Sequence, residues 1–365
     1  MPEPRFNPWL HRFAVLTALA TLALLGIGGL VTSNGVGMAV PDWPNTYGYN
    51  MFLFPPSKWV GGIFYEHSHR LVASGVGLLT TILAVWLWFA EPRRWLRWLG
   101  VIAFFAVVLQ GVLGGLRVVL FKDQIGIFHA ALAQLFFALT CALALFTSRW
   151  WLNRWSLTSQ DATEAAERAR LEMDGPLRRL FLATTILIFL QLILGATMRH
   201  EHAGLAIPDF PLAYGKLWPA MDAESVAAYN ARRLEVTTAN PITAAQIVLQ
   251  MAHRLMAVGI LVCAGALAWQ ATRSNRRAAI PLRQLTFFWL GLILLQAGLG
   301  AWTIWSQKAA DVATAHVLVG ALSLVTGVFG CIICFGHPAG NANTRVASSS
   351  EVARQKMCLA ALVNL

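Results

Sequence analysis

Residues 37–48 read GMAVPDWPNTYG, and residues 204–215 read GLAIPDFPLAYG. The two segments align as Gly37/Gly204, Ala39/Ala206, Pro41/Pro208, Asp42/Asp209, Trp43/Phe210, Pro44/Pro211, Tyr47/Tyr214 and Gly48/Gly215. Proline removes a backbone donor and fixes the direction of the chain, while glycine permits tight bends. Each segment is therefore a shaped loop, and its recurrence marks an internal repeat. The loops fold as lids, Trp43 or Phe210 shielding whatever each covers.

The match continues on both sides. Gly28 pairs with Gly195, HRLVASG from His69 with HRLMAVG from His253, and LQGVLG from Leu109 with LQAGLG from Leu295; IFHAALA around His129 falls opposite TAHVLVG around His316. The repeat is about 170 to 190 residues long. Of the 365 residues, 57% are hydrophobic and 12% charged, and the mean hydropathy is +0.58. A soluble domain of this size has too little interior to hide so much apolar surface. Eight apolar runs, at 13–31, 69–90, 99–120, 125–146, 180–198, 245–269, 285–305 and 312–335, each suffice to cross a hydrocarbon core about 30 Å thick. The fold class is an all-α integral membrane protein, eight transmembrane helices arranged as two pseudo-symmetric four-helix bundles. An even number of helices per unit gives parallel repeats about an axis along the membrane normal.

The net charge of +11 is placed by topology rather than for nucleic acid. Lys and Arg gather in alternate connections: the N-terminus, EPRRWLRW, residues 149–179, ATRSNRRAAIPLRQ and the tail. The positive-inside rule puts these in the cytoplasm, with both termini, and puts the proline loops outside. The expected location is a cell inner (plasma) membrane. The first run occupies the place that 180–198 occupies later, so it is read as a retained helix and not a cleaved signal. The organisation is then an N-terminal half (1–148), a polar linker (149–178), a C-terminal half (179–336) and a tail of disordered composition (337–365). All five Cys (Cys141, Cys263, Cys331, Cys334, Cys358) fall on apolar runs or in the tail, so no disulfide framework is expected. The CxxC at Cys331 and Cys334 has no partner pair and reads as helix packing.

Four His stand inside the spans: His69, His129, His253 and His316. Each lies near the outer start of an even-numbered helix, so all four share one depth, and each half has a pair on separate helices. An imidazole in hydrocarbon is costly without a partner and marks a functional site. A pair could ligate a haem iron from both faces; zinc would want three or four clustered ligands; an interhelical hydrogen bond is the plain structural alternative. Arg70 and Arg254 follow the first His of each pair, suited either to snorkelling or to a haem propionate. Arg117 and Arg199 are weaker candidates for the same task, from loops. Glu66 precedes His69 by one helical turn and shares its face, whereas its counterpart is Gln250; His67 has Met251 in its place. This asymmetry suggests chemistry in the first half and electron transfer in the second.

With YEHSHRL, His129, MAHRL, TAHV and the two PDxP loops in order, the chain resembles the haem A synthases from about the first helix to the eighth. That resemblance implies oxidation of a porphyrin methyl of haem O to a formyl group, giving haem A for terminal oxidases. It implies that His69 and His129 hold the substrate haem O, that His253 and His316 hold a haem b cofactor that relays electrons, with Arg70 and Arg254 beside them, and that Glu66 is catalytic. The haem sites would lie near the outer face. Other partners implied are membrane lipid, the haem O synthase, an electron donor of unidentified kind and a second copy of the chain. Some family members carry a Cys pair in the outward loops, and this chain has none there. The alternatives are a dihaem b-type quinol oxidoreductase, which would not need the Glu66/Gln250 difference, and a haem transporter, which would need helices broken near the midplane.

Overall fold

The computed structural model describes residues 5–156, 175–233, 241–273 and 280–335. Eight long helices are apolar enough to cross a membrane: α1 (Pro8–Ser33), α2 (Gly61–Ala90), α3 (Arg94–Val119), α4 (Asp123–Thr147), α6 (Gly175–His200), α8 (Ala244–Arg273), α9 (Ile280–Trp305) and α10 (Ala310–Phe335). Two short helices join them, α5 (Arg149–Ser156) after α4 and α7 (Ala223–Ala231) after the second proline loop. No strand forms among the described residues. The expected tail, with Cys358, and most of the expected linker lie outside them.

Hydrocarbon offers no partner for backbone groups, so helices that satisfy their own are the natural solution. Hydroxyl side chains inside the spans follow the same rule: Thr21, Thr80, Thr184 and Ser323 donate to carbonyls one turn back, each at 2.8 Å. The main departure from the hydropathy reading is at α2, which begins at Gly61 and not at 69. Tyr65 to Arg70 interrupt the apolar run but not the helix, and the loop beside them supplies partners for Glu66, His67 and Arg70.

The helices close into two rings. In the first, α1 packs on α2, α2 on α3, α3 on α4 and α4 back on α1; in the second, α6, α8, α9 and α10 do the same. The rings join where α1 meets α10, α4 meets α6, and α4 meets α10. Accordingly α4 and α10 are half buried over their apolar windows, against 22% for α3. Phe137 and Ala138 of α4 pack there against Ala321 and Val325 of α10. Within the second ring small residues allow close approach, as in membrane bundles generally: Phe181 of α6 lies flat on Gly330 of α10, where a Cβ would sit 2.0 Å from its ring.

Candidate functional site

The two proline loops fold alike. The Asp42 carboxylate accepts the backbone N–H groups of Tyr47 and Gly48, both at 2.8 Å, and Asp209 accepts those of Tyr214 and Gly215 at 2.7 and 2.8 Å. These bonds close turns in which Tyr47 and Tyr214 have φ of 49° and 52°, Gly48 and Gly215 76° and 74°. The Tyr47 hydroxyl returns to the Ala39 carbonyl at 2.5 Å, and that of Tyr214 to Ala206. Burial alone would raise the Asp42 carboxyl, but the N–H groups of Gly48 and Tyr47, aided by the Arg70 charge, hold it below its ordinary range.

Each loop is latched to the following helix by its arginine. Arg70 donates to the carbonyls of Asp42 (2.7 Å) and Asn45 (3.0 Å), and Arg254 to those of Asp209 (2.7 Å) and Leu212 (2.8 Å). Glu66 and Gln250 do equivalent work one turn earlier. Glu66 Oε2 accepts the Val40 N–H at 2.9 Å, and Gln250 Oε1 accepts that of Ile207 at 2.6 Å. The adjoining carbonyls separate them. Gln250 donates to the Ile207 carbonyl itself, at 3.3 Å. A carboxylate has no proton to donate, so Arg70 bridges, giving one bond to Val40 O at 2.8 Å and one to Glu66 Oε1 at 2.7 Å. Glu66 is 3% exposed, so its carboxylate is held by the loop and Arg70 and does not face water.

Behind the first loop lies a cavity of about 510 Å³ lined by His69, His129, Glu66, Arg70, Trp43 and Pro44, among mostly apolar neighbours. The Trp43 indole covers Gly115 of α3, where a Cβ would lie 2.3 Å from it. In the second half the smaller Phe210 faces Trp305 of α9, ring centres 6.0 Å apart, and Ala301 replaces Gly115. The two rings of His253 and His316 are 6.5 Å apart, centre to centre.

All four His are seated in one manner. A Cβ on Gly28, Gly114, Gly195 or Gly300 would lie 3.0, 3.3, 3.4 or 3.2 Å from Cε1 of His69, His129, His253 or His316 respectively. Each glycine is on the helix preceding that His, so a missing side chain makes room for each ring. The Nδ1 atoms of all four are buried with no hydrogen-bond partner, although the residues are only half buried. One turn before three of the glycines stands a glutamine. Gln110 donates to the His129 carbonyl at 3.1 Å, Gln191 to that of His253 at 3.0 Å, and Gln296 Nε2 lies 3.5 Å from His316 Nε2. The fourth place holds Leu24.

Against this geometry, sequence comparison is decisive. A family described as "Cytochrome oxidase assembly protein" matches residues 57–328. A protein named "Heme A synthase" from Geobacillus kaustophilus is 30% identical over 345 residues, covering 93% of this chain and 95% of its own. Those of the same name from Shouchella clausii (31% over 220 residues, 60% of this chain and 68% of the relative) and Bacillus cereus (30% over 215, 57% and 62%) also match.

The chain belongs to the haem A synthase family.

As a member of this family it is a multi-pass membrane protein, and its eight apolar helices agree. Arg117 and Arg199, expected in loops, stand instead in the last turns of α3 and α6 and line the cavity of the first half. They were misplaced because a charged residue usually ends a hydropathy run. Arg117 donates to Asp123 at 3.1 Å and keeps a buried, unpartnered Nε; Arg199 donates to Ser33 of α1 at 2.5 Å. His200, also from α6, lines the same cavity, so the second ring contributes to the wall of the first. His67, without a counterpart, meets the Thr46 hydroxyl at 3.2 Å and packs on Trp59; Met251 and Ala213 fill those places in an apolar cluster. Sequence reading missed the third LQxxLG copy, Leu190 to Gly195. Among the described residues no three His, Cys, Asp or Glu gather as a metal-ion site.

Proposed function

We propose that the chain is an enzyme of haem A synthesis for cytochrome oxidase assembly, oxidising a methyl group of haem O to a formyl group. The observation that carries the proposal is the cavity of the first half, with the facing pair His69 and His129, a third imidazole from His200, a buried carboxylate and three arginines on its wall, in a member of this family. His69 and His129 would hold the substrate iron. His253 and His316 would hold a haem b, which supplies one-electron transfer when bound. With metal–nitrogen bonds of about 2 Å and a ring centre ~1.2 Å behind each nitrogen, two imidazoles on one iron have centres ~6.3 Å apart. The 6.5 Å between His253 and His316 fits that requirement.

The protein's own part is orientation, charge and the exclusion of water. The loops close both halves at one end, which the positive-inside rule makes the outer face. Arg117 and Arg199, with donors to spare, take the propionates of haem O, and Arg70 and Arg254 contribute by fixing the loops over the edge of each haem. Glu66, held between Val40 N–H and Arg70, is the one carboxylate on the cavity wall; it takes up a proton or stabilises positive charge as the methyl is oxidised. Residues 1–148 are then the substrate half and 179–336 the electron-transfer half. The haem O synthase delivers the substrate, and a membrane donor supplies electrons.

The test is chromatography of haems extracted from membranes that contain this protein and a haem O source. Haem A should appear with the wild type and vanish with His69→Ala. Haem B alone, in both halves, would make the chain a dihaem electron-transfer cytochrome instead.

A further inference from the structure

The internal repeat lets one half serve as a control for the other. Below the His pair, toward the linker end, four polar side chains line the cavity of the first half: Thr21, Ser74, Thr81 and Gln134. The alignment that pairs the histidines and glycines puts Ile188, Val258, Gly265 and Ala321 at those places in the second half. Positions that are apolar in the second half are polar in the first, deep in the membrane, where a polar side chain is costly unless used.

The four are poised for a ligand. Thr21, Ser74 and Thr81 give their single protons to backbone carbonyls, at 2.8, 2.9 and 2.8 Å, so each leaves an oxygen able only to accept. Gln134 is 7% exposed and its Oε1 has no partner. It stands five residues beyond His129, roughly 7–8 Å further along α4, about one porphyrin half-width from the level of the iron. The counterpart residue, Ala321, is instead packed at the seam between the rings.

Haem O differs from haem B in one substituent: a vinyl group is replaced by a chain bearing a secondary hydroxyl followed by a farnesyl tail. That chain leaves the porphyrin edge opposite the propionates. With propionates at Arg117 and Arg199, the hydroxyl descends to the level of Gln134, and the methyl neighbouring a propionate stays near Glu66. Resting on the proposed substrate, we propose that Gln134, with Ser74 and Thr21 at about its depth on the same cavity wall, binds the side-chain hydroxyl of haem O and so selects haem O over haem B in the first half. The second half, with Ala321 at that place, has no group for a hydroxyl and accepts haem B.

The experiment counts haems in protein purified from cells that make both haem B and haem O. Haem O plus haem A, which share the hydroxylated chain, are compared with haem B in excess of the second-half equivalent. Gln134→Met keeps length and volume, and Ser74→Ala is the second variant; retained haem b in the second half reports folding for each. A lost hydrogen bond of about 0.5–1.5 kcal/mol lowers the ratio roughly two- to tenfold. The inference is overturned if the variants that keep the second-half haem hold haem O and haem B in the wild-type ratio. Wild-type protein carrying neither haem O nor haem A would overturn the proposed function itself, and this inference with it.

Discussion

Glu66 and Gln250 occupy the same place in two copies of one design, and they differ by one atom type. Both accept a loop N–H, from Val40 and from Ile207. The amide then closes the loop with its own proton, whereas the carboxylate requires Arg70, which thereby makes four contacts where Arg254 makes two. For holding a loop, glutamine is the simpler device. In the proposed function, a buried carboxylate that needs a guanidinium to complete the same job is kept for chemistry on the cavity side, and this difference would separate a half that reacts from a half that only relays.

The comparison can be broken most directly at Glu66 itself. Because the second half demonstrates that Gln fits this geometry, Glu66→Gln should fold and keep both haems, while haem A in extracts falls at least a hundredfold; full haem A production would return Glu66 to a purely structural role. Next are the arginines. Arg70→Ala leaves a 3% exposed carboxylate without its counter-ion, a loss of about 3–5 kcal/mol. Arg254→Ala leaves only loop carbonyls, about 1–3 kcal/mol. Thermal denaturation in detergent, followed by the Soret band, should therefore rank Arg70→Ala well below Arg254→Ala, and equal midpoints would contradict the assigned contacts.

A smaller effect belongs to the lids. Gly115→Ala brings a methyl into the Trp43 indole and should loosen haem in the first half only, raising its dissociation rate severalfold. Adding Trp43→Phe should restore retention, since Phe210 opposite Ala301 already uses that combination; no rescue would mean that Trp43 does not cover the site. The smallest effect is with pH. The Asp42 carboxyl is lowered in the folded protein, so its bonds to Tyr47 and Gly48 stabilise the loop fully above the ordinary aspartate pKa. They are lost as pH falls through the lowered value. First-half haem retention should be flat from neutral pH into mild acid and decline only below the ordinary aspartate range; Asp42→Asn should remove that acid limb.

How much of this was legible beforehand follows from what each residue does. Apolar runs fix helices, and a repeated loop fixes the two-unit plan, because both are imprinted as period and composition. The four His were visible as polar groups at matched depth. Contacts across the bundle were not. The seat of each candidate iron ligand is an absent side chain, at Gly28, Gly114, Gly195 and Gly300; three of them end an LQxxLG copy, but the repeat does not say which imidazole each glycine faces. Arg70 looked free for a propionate because three of its four partners are backbone carbonyls, which every residue has. His200 and Arg199 belong to one half by sequence and line the cavity of the other, a consequence of how α4 and α6 meet. Gln134 was hidden for the opposite reason, since a lone amide in an apolar helix gains meaning only beside the cavity.

The central claim is that two alike cages hold two haems with different fates. Haem extraction from two paired variants, His69→Ala with His129→Ala and His253→Ala with His316→Ala, tests it most directly, in membranes supplied with haem O. The first pair should retain haem B alone and yield no haem A. The second should retain haem O and also yield no haem A, its substrate bound but unconverted. Haem A from the first pair, or loss of every haem from either one, would contradict the account.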